Sequence, residues 1–258
     1  MNKNAKKKVI YLALFMVMLV GVVVFLFPVS FSAYRANHVL ADFWLTITNT
    51  GVAKGSILLT VFGGLILAIS HITLKKGLFV FFVFTISTLL TIKLASDFNE
   101  VVLKRSIGHA RPSIVYLENM GIVKADSVYS RQQLEERSNY VRSMASVKKE
   151  ETAYFNQNVL EHWIHSTGHS FPSGHAQNAF LLGSILSFVL LGSRFQLTKS
   201  LYFLPLIWAS LIAVSRVTLG VHRPVDVTIG ALIGSIEAIL IFQIPLLKSL
   251  FQPRDFGE

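Results

Sequence analysis

VIYLALFMVMLVGVVVFLFPV, residues 9–29, is the stretch that first indicates the fold of this 258-residue chain. A membrane core of roughly 30 Å needs about 20 apolar residues in a helix, because backbone groups without hydrogen bonds are too costly in lipid. The 21 residues of this stretch meet that need, and four lysines precede it within residues 3–8. Since the stretch exceeds a typical signal-peptide core, we expect a retained membrane anchor.

Five further apolar segments follow along the chain. They cover residues 56–73, 77–102, 175–191, 201–219 and 225–247. Hydrophobic residues make up 52% of the chain and charged residues only 15%, which is too apolar for an ordinary soluble domain. The sequence therefore predicts an all-α fold, a polytopic membrane helix bundle with six transmembrane helices, forming a single domain over residues 1–258.

The lysines and arginines of the short loops predict the orientation of this bundle, because such residues accumulate on the cytoplasmic side. With both termini in the cytoplasm, the cytoplasmic ends hold ten of them: Lys3, Lys6, Lys7, Lys8, Lys75, Lys76, Arg194, Lys199, Lys248 and Arg254. The opposite short loops hold Arg35, Lys54, Arg216 and Arg223. We therefore expect cytoplasmic termini and an extracytoplasmic segment over residues 104–174, between helices 3 and 4.

Residues 104–174 form the one long segment outside the predicted spans. The segment mixes charges of both signs, as in Glu135, Glu136 and Arg137, with spaced apolar residues. This pattern is typical of amphipathic helices at a membrane surface. The sequence predicts a helical periplasmic cap over this end of the bundle.

Composition also limits the chemistry. The chain has 24 Lys and Arg against 14 Asp and Glu, a formal net charge of +10, which suits anionic lipid or a phosphorylated substrate. Its apolarity argues against nucleic acid as a partner. The absence of cysteine from the sequence excludes disulfides, thiolate catalysis and Cys-ligated zinc, so nitrogen chemistry falls to the eight histidines.

The first of three polar clusters runs over residues 104–112, at the end of the third span. Lys104 and Arg111 are seven residues apart, which is two turns of a continuous helix, although Gly108 and Pro112 favour an interrupted one. In either form the two cations can face one anion. The alternative is a pair of interfacial residues that extend their charges to the lipid headgroups.

The second cluster is SFPSGH, residues 170–175, directly before the fourth span. A helix that begins here presents free backbone N–H groups and the positive end of its dipole to an anion. Gly174 permits close backbone approach, Ser173 supplies a hydroxyl donor or an N-cap, and His175 can exchange a proton near neutral pH. The alternative is an ordinary capped helix start with an interfacial histidine.

The third cluster is SRVTLGVHRPVD, residues 215–226, between the fifth and sixth spans. Pro224 suits the first position of a helix, which leaves Asp226 in the first turn and His222 just before it. A carboxylate near an imidazole can fix its tautomer and stabilise the cation formed when the other ring nitrogen attacks. A structural Arg–Asp pair is the alternative. The predicted topology brings all three clusters to the same side.

In order and spacing, these clusters resemble the signature of the type 2 phosphatidic acid phosphatase superfamily. The matching residues are Lys104, Arg111-Pro112, Pro172-Ser173-Gly174-His175, Ser215-Arg216, His222 and Asp226, with no departure at any signature position. Soluble members of that superfamily include bacterial acid phosphatases and vanadium haloperoxidases. Within it, the whole chain is similar to the phosphatidylglycerophosphatase B group of Gram-negative bacteria in length, six spans and the long segment between the first two motifs.

The resemblance implies a histidine nucleophile and no metal or other cofactor. It makes His222 the residue that attacks phosphorus, with Asp226 orienting it, and His175 the acid for the leaving oxygen and then the base for water. The residues that hold the phosphoryl oxygens are Lys104, Arg111, Ser173, Gly174 and Arg216.

By the same resemblance, the partners are the lipid bilayer and lipid phosphates: phosphatidylglycerophosphate, phosphatidate, diacylglycerol pyrophosphate and undecaprenyl pyrophosphate. The location implied is the bacterial inner membrane, with the active site facing the periplasm.

Three alternatives to a lipid phosphatase are open from the sequence. A phosphotransferase can use the same phosphohistidine to modify lipid A, and a non-catalytic lipid binder or transporter needs only the phosphate-binding part of the site. A zinc site is the third, because His162, His165, His169 and His175 lie within fourteen residues. No nearby glutamate completes a recognised zinc motif.

Overall fold

Helices form the regular secondary structure of residues 3–26, 39–71 and 73–243, the residues that the computed structural model describes. In chain order they are α1 (Lys3–Leu26), α2 (Val39–Thr50), α3 (Ala53–Ile69), α4 (Leu74–Phe98), α5 (Lys104–Ile107), α6 (Pro112–Asn119), α7 (Ala125–Tyr129), α8 (Leu134–Val147), α9 (Lys149–Thr152), α10 (Gln157–His165), α11 (Gly174–Gly192), α12 (Gln196–Ser200), α13 (Leu204–Thr218) and α14 (Pro224–Ile241). A π-helical turn, Asn99–Leu103, joins α4 to α5.

Five helical segments of the described residues are long and apolar enough to cross a membrane: Asn4–Leu26, Leu74–Ile107, Gly174–Gly192, Gln196–Thr218 (α12 with α13) and Pro224–Ile241. Helices α2 and α3, bent by 56°, together form a sixth candidate span. Because a helix satisfies its own backbone hydrogen bonds, each segment can lie in lipid without unpaired backbone groups. The predicted all-α membrane helix bundle is thereby confirmed.

The second span differs from its prediction, residues 56–73. It ends at Ile69 and is preceded by α2, which the sequence analysis did not assign, because Asp42 and three threonines interrupt the apolar run over residues 39–50. The third span continues through the π-helical turn to Ile107. Residues 27–29 and 244–247 of the first and last predicted spans, and Arg35, Lys248 and Arg254 of the charge pattern, lie outside the described residues.

Helix α11 lies at the centre of the bundle, and most of its residues are buried. Glycines on α14 let the two backbones approach closely: a Cβ on Gly234 would lie 2.0 Å from the Gln177 carbonyl oxygen, and one on Gly230 would lie 2.5 Å from that of Ser173. Small residues four apart commonly mediate such packing in membranes. As a result the first turns of α11 and α14 lie side by side, and the Ser173 N–H donates to the Asp226 carbonyl at 2.9 Å.

The segment between α5 and α11, residues 108–173, has a hydrophobic core of its own, and we call it the cap. Its buried residues include Leu117, Val141 and Phe155, and the same cluster takes in residues of α2 and of the loop before α14. The Trp163 indole N–H donates to the Leu219 carbonyl at 2.6 Å. The apolar faces of the cap helices therefore pack against one another and against the end of the bundle that carries the predicted site.

Candidate active site

Arg111 reaches the site through a sharp change of chain direction. Helix α5 ends at Gly108, whose φ of 67° lies in the left-handed region that glycine adopts readily, and α6 begins at Pro112. This confirms the interrupted helix. The Arg111 side chain is 6% exposed; its Nε donates to the Gly168 carbonyl at 2.7 Å and its Nη1 donates to the Val221 carbonyl at 3.1 Å.

The same Nη1 atom lies 3.1 Å from Nε2 of His222. Arginine has only donors, so Nε2 acts as the acceptor and the ring proton belongs on Nδ1. Nδ1 faces Asp226, with 3.6 Å between Nδ1 and Oδ2. That is within ion-pair range but longer than a hydrogen bond, and catalytic contacts of this kind commonly shorten only when substrate is bound.

Asp226 is positioned by the start of α14. Pro224 is the first residue of the helix, as predicted, and the Asp226 Oδ2 accepts the Arg223 backbone N–H at 2.8 Å. The carboxylate of Asp226, the third residue of the helix, therefore completes a capping box with the N-cap residue Arg223 and also faces His222. His222 is itself held from the other side, because its backbone N–H donates to the Arg216 carbonyl at 3.1 Å.

Lys104 lies directly after the π-helical turn, with its side chain only 10% exposed and its Nζ 2.5 Å from Oε2 of Glu100. Turns of this type are rare and are frequent at functional sites. The turn is tied to the bundle because Nδ2 of Asn99 donates to the side-chain oxygen Oε1 of Gln177, and Nε2 of Gln177 donates to Oε1 of Glu237 at 2.7 Å. This chain of side-chain hydrogen bonds fixes the segment from which Lys104 extends.

Helix α11 begins as the sequence predicted. Ser173 is fully buried and is the N-cap; its Oγ accepts the Ala176 N–H at 3.4 Å. Gly174 and His175, both partly exposed, occupy the first turn, where backbone N–H groups have no partner within a helix. The sequence predicted that the Ser173 hydroxyl is either a donor to an anion or the N-cap of the helix, and the structure shows the N-cap.

The electrostatics of His222 show that the separate clusters converge. The pKa of His222 lies well below its ordinary value, because the ring is buried and because Arg111, Arg216 and Lys104, followed by His175, oppose a further positive charge. All four groups are therefore close enough to influence the imidazole. The site combines an uncharged, buried imidazole with three fixed cations, which suits a nucleophile that must approach an anion.

Arg216 is 2% exposed and lies in the last turn of α13. Its Nη1 donates to the Thr48 hydroxyl at 2.7 Å and contacts Nε2 of His162 at 3.1 Å. Its Nε has no hydrogen-bond partner within the described part of the chain. The sequence analysis predicted Arg216 but neither of its two partners.

The remaining histidines of the zinc alternative have other contacts. His165 is exposed and pairs with Glu161 at 3.0 Å, and His169 stacks on Tyr129 with ring centroids 4.9 Å apart. Across residues 3–26, 39–71 and 73–243, no three His, Asp or Glu side chains are grouped so that they could hold a metal ion. The geometry therefore gives the zinc interpretation no support.

Tyr129 is a further residue that the sequence analysis missed. Its hydroxyl accepts the Arg111 backbone N–H at 2.8 Å, and burial raises the pKa of this phenol. Tyr129 lies in a short cap helix with no motif around it, so only the fold reveals its contact.

His109, which lies beside Arg111 in the first cluster, is exposed, and its ring lies edge-on to Phe171.

Comparison with known proteins agrees with this geometry. Residues 77–249 match the family model described as PAP2 superfamily. The chain is 26% identical to Phosphatidylglycerophosphatase B of Haemophilus influenzae over 244 residues, 93% of this chain and 97% of that protein. It is 30% identical to Phosphatidylglycerophosphatase B of Escherichia coli K12 over 132 residues, 51% of this chain and 49% of that protein.

A shorter match is to Bacitracin transport permease protein BcrC of Bacillus licheniformis, 35% identical over 78 residues, 30% of this chain and 34% of that protein. The match to the family model spans more than half of the chain and contains every signature residue from Lys104 to Asp226. The chain belongs to the PAP2 superfamily, that of the type 2 phosphatidic acid phosphatases.

Proposed function

We propose that this chain is a lipid phosphatase that hydrolyses phosphatidylglycerophosphate, and also phosphatidate, diacylglycerol pyrophosphate and undecaprenyl pyrophosphate, through a phosphohistidine on His222. The observation that carries the proposal is the row of contacts from Arg111 through His222 to Asp226, buried beside two further cations. A lipid binder needs the cations but has no use for an imidazole aligned between an arginine and a carboxylate.

In the first step, Arg111 transfers its Nη1 hydrogen bond from Nε2 of His222 to a phosphoryl oxygen, and the freed Nε2 lone pair attacks phosphorus while the bond between phosphorus and the lipid oxygen breaks. His175 donates a proton to the departing oxygen, and Asp226 stabilises the positive charge that develops on the His222 ring. Lys104, Arg111 and Arg216 neutralise the charge on the phosphoryl oxygens, aided by the N–H groups at the start of α11.

In the second step, water attacks phosphorus and the N–P bond breaks. His175, which lost its proton in the first step, now removes one from the water, so the two steps return the site to its starting state. Inorganic phosphate leaves, and His222 recovers the neutral ring. Three fixed cations supply the charge stabilisation that a metal ion supplies elsewhere, and we propose that no metal takes part.

The position of the site supports a membrane substrate. It lies where the ends of four candidate spans meet the cap, so a lipid can keep its chains in the bilayer while its phosphate enters the pocket. We further propose that residues 1–258 act as one membrane phosphatase domain in the bacterial inner membrane. Its termini are cytoplasmic and its site faces the periplasm, as the distribution of Lys and Arg indicates.

The test is release of inorganic phosphate by the detergent-purified protein with EDTA present. Wild type and His222→Ala are compared on phosphatidylglycerophosphate and on undecaprenyl pyrophosphate. We expect release by the wild type to persist in EDTA, and to fall by at least about 10³-fold in the variant, because removal of a nucleophile abolishes the chemical step. A labelled substrate should also leave acid-labile phosphate on the wild-type protein alone.

Other outcomes favour other functions. Release that EDTA abolishes would contradict a metal-free mechanism. Absence of release, with label transferred to lipid A when that lipid is added, would favour the phosphotransferase. Full activity of His222→Ala would rule out the proposed nucleophile.

A further inference from the structure

The Arg216 guanidinium is held by two helices other than its own α13, namely α2 and α10. Both donors of its Nη1 are taken: one by the Thr48 hydroxyl of α2 at 2.7 Å and one by Nε2 of His162 in α10 at 3.1 Å. Thr48 is fully buried and Arg216 is 2% exposed, so neither contact competes freely with water. One end of the guanidinium is thus fixed to two elements that bracket the end of α13.

The opposite edge of the guanidinium is where a ligand can bind. Nε of Arg216 is buried and lacks a hydrogen-bond partner among the described residues. Nε and Nη2 form the edge with which arginine binds an oxyanion through two parallel hydrogen bonds. Because Thr48 and His162 accept both hydrogen bonds of Nη1, the Nε–Nη2 edge of the guanidinium is left to bind an incoming phosphoryl group.

His162 is suited to accept this hydrogen bond permanently. Its pKa is lowered to about 3, mainly by burial and then by the charge of Arg216, so the ring is neutral at any physiological pH. A neutral ring can accept at Nε2, whereas a charged ring has only donors. His162 therefore remains a hydrogen-bond acceptor for Arg216 Nη1 throughout the physiological pH range.

The helix that carries His162 is anchored at the next residue. Trp163 donates its indole N–H to the Leu219 carbonyl at 2.6 Å, three residues after Arg216. Consecutive residues of α10 thus contact the side chain of Arg216 and the backbone that follows α13. This double attachment fixes α10 against the segment that leads to His222.

We propose that His162 and Thr48 are positioning residues, which orient Arg216 so that its Nε–Nη2 edge receives the phosphoryl oxygens of the substrate. The inference rests on the proposed function, because it assigns Arg216 a phosphoryl ligand. The cap would then contribute to catalysis, because its helix α10 supplies one of the two acceptors that orient a phosphate-binding arginine.

The experiment compares variants that keep or remove an acceptor. His162→Gln places an amide oxygen near the position of Nε2, and His162→Leu removes it at similar size; Thr48→Ser and Thr48→Val form the second pair. His165→Leu, one turn away and exposed, controls for loss of a histidine from α10. The readouts are kcat, KM, the inhibition constant of orthovanadate (a phosphate analogue) and the thermal unfolding midpoint in detergent.

We expect His162→Leu and Thr48→Val each to weaken orthovanadate binding by about tenfold, the effect of one lost hydrogen bond to a charged group. kcat/KM should fall by at least as much, because the phosphoryl oxygens gain charge in the transition state. His162→Gln and Thr48→Ser should recover most of the affinity, and His165→Leu should resemble the wild type. The thermal unfolding midpoints of His162→Leu and Thr48→Val should be close to those of His162→Gln and Thr48→Ser.

Wild-type affinity for orthovanadate in His162→Leu would overturn the inference, as would a His162→Gln variant as weak as His162→Leu. Failure of the proposed function gives a different pattern. If the wild type releases no phosphate from any lipid phosphate, the function fails, but orthovanadate binding measured by calorimetry still decides whether His162 and Thr48 orient Arg216. Unchanged binding in Arg216→Lys would remove the phosphate role of Arg216 and the inference with it.

Discussion

Asp226 has two contacts that a substitution can separate. Its Oδ2 completes the capping box of α14 by accepting the Arg223 N–H, and it also faces Nδ1 of His222. Asp226→Asn keeps an oxygen for the cap but loses the charge that stabilises a positive His222 ring. We expect kcat for phosphate release to fall by about 10²- to 10⁴-fold, with the thermal unfolding midpoint close to that of the wild type.

Asp226→Ala is the matched control, because it removes the charge and the cap together. Its activity should be no higher than that of Asp226→Asn, and loss of the cap should lower its stability by about 1 kcal/mol. A wild-type kcat in Asp226→Asn would show that the His222 ring needs no carboxylate during attack.

The lowered pKa of His222 leads to a prediction for kcat/KM at acidic pH. Burial and then Arg111, Arg216 and Lys104 hold the pKa of His222 well below its ordinary value, so the ring stays neutral as the pH falls through about 6.5. We therefore expect no loss of kcat/KM near pH 6.5 from protonation of the nucleophile. Arg111→Gln removes one opposing charge, so it should raise the pKa of His222 and move the acid limb to higher pH.

Substrate ionisation also affects this limb, since a phosphate monoester loses its second proton near pH 6. That contribution is the same for both proteins, so the difference between their acid limbs, measured on one lipid phosphate, isolates the enzyme. An acid limb that stays in place in Arg111→Gln would mean that another group determines it.

At the residue scale, the sequence predicted the groups whose chemistry is distinctive and missed those that support them. The signature residues are recognisable because phosphoryl transfer needs cations and an imidazole at defined spacing. Thr48, by contrast, is 168 positions from Arg216, and the carbonyls that hold Arg111 belong to Gly168 and Val221. A backbone acceptor or an isolated threonine leaves no mark in the sequence that identifies its distant partner.

At the scale of elements, the close contact of α14 with α11 sets the first turn that carries Asp226 beside the first turn that carries His175, the proposed acid. A Cβ on Gly234 would lie 2.0 Å from the Gln177 carbonyl oxygen, a backbone atom that cannot move away on its own. Gly234→Ala should therefore separate the two helices. We expect a loss of about 1–3 kcal/mol in stability and a fall in kcat, because the first turns of α11 and α14 carry His175 and Asp226.

Gly21→Ala in α1 is the matched control, since its Cβ would lie 3.4 Å from a methyl group of Thr228, an ordinary contact. That variant should keep the unfolding midpoint and the kcat of the wild type. If Gly234→Ala also kept both values, measured by thermal unfolding in detergent and phosphate release, close packing of these helices would not be needed for the site.

The long helices were predictable one by one, whereas the cap was predicted only to be helical as a whole and α2 was missed, for one physical reason. An apolar segment of about 20 residues is helical in lipid whatever surrounds it. Helix α2 and the cap helices are short, and short helices form only where tertiary contacts stabilise them. Their shared core, in which Trp163 of α10 is buried against Tyr116 of α6 and donates to the Leu219 carbonyl, depends on contacts that the pattern of charges and apolar residues does not specify.

At the scale of the whole molecule, the site belongs to the bundle and to the cap together. The bundle supplies Lys104, His175 and Arg216, whereas the loop that opens the cap supplies Arg111. The cap core also contacts the loop before α14, through Leu219 and Val221. The two parts therefore have to fold against each other before the proposed phosphate site is complete.

Membrane orientation is the last property to test, and the sequence suits the experiment because it contains no cysteine. Ser143, in α8 of the cap, and Gln196, at the start of α12, are both exposed. We expect Ser143→Cys to react with a membrane-impermeant maleimide in intact cells whose outer membrane has been made permeable. Gln196→Cys should react only after the inner membrane is disrupted. Phosphate release by both variants checks that each is folded.

A single span, α11, lies between these two positions, so they should be on opposite sides whichever way the protein is inserted. Labelling of both from the outside would therefore contradict the assignment of α11 as a span. Labelling of Gln196→Cys alone would keep the spans but invert the molecule, and the phosphate site would then face the cytoplasm. Labelling of Ser143→Cys alone places the site on the outer face, where its substrates would be lipid phosphates of the outer leaflet.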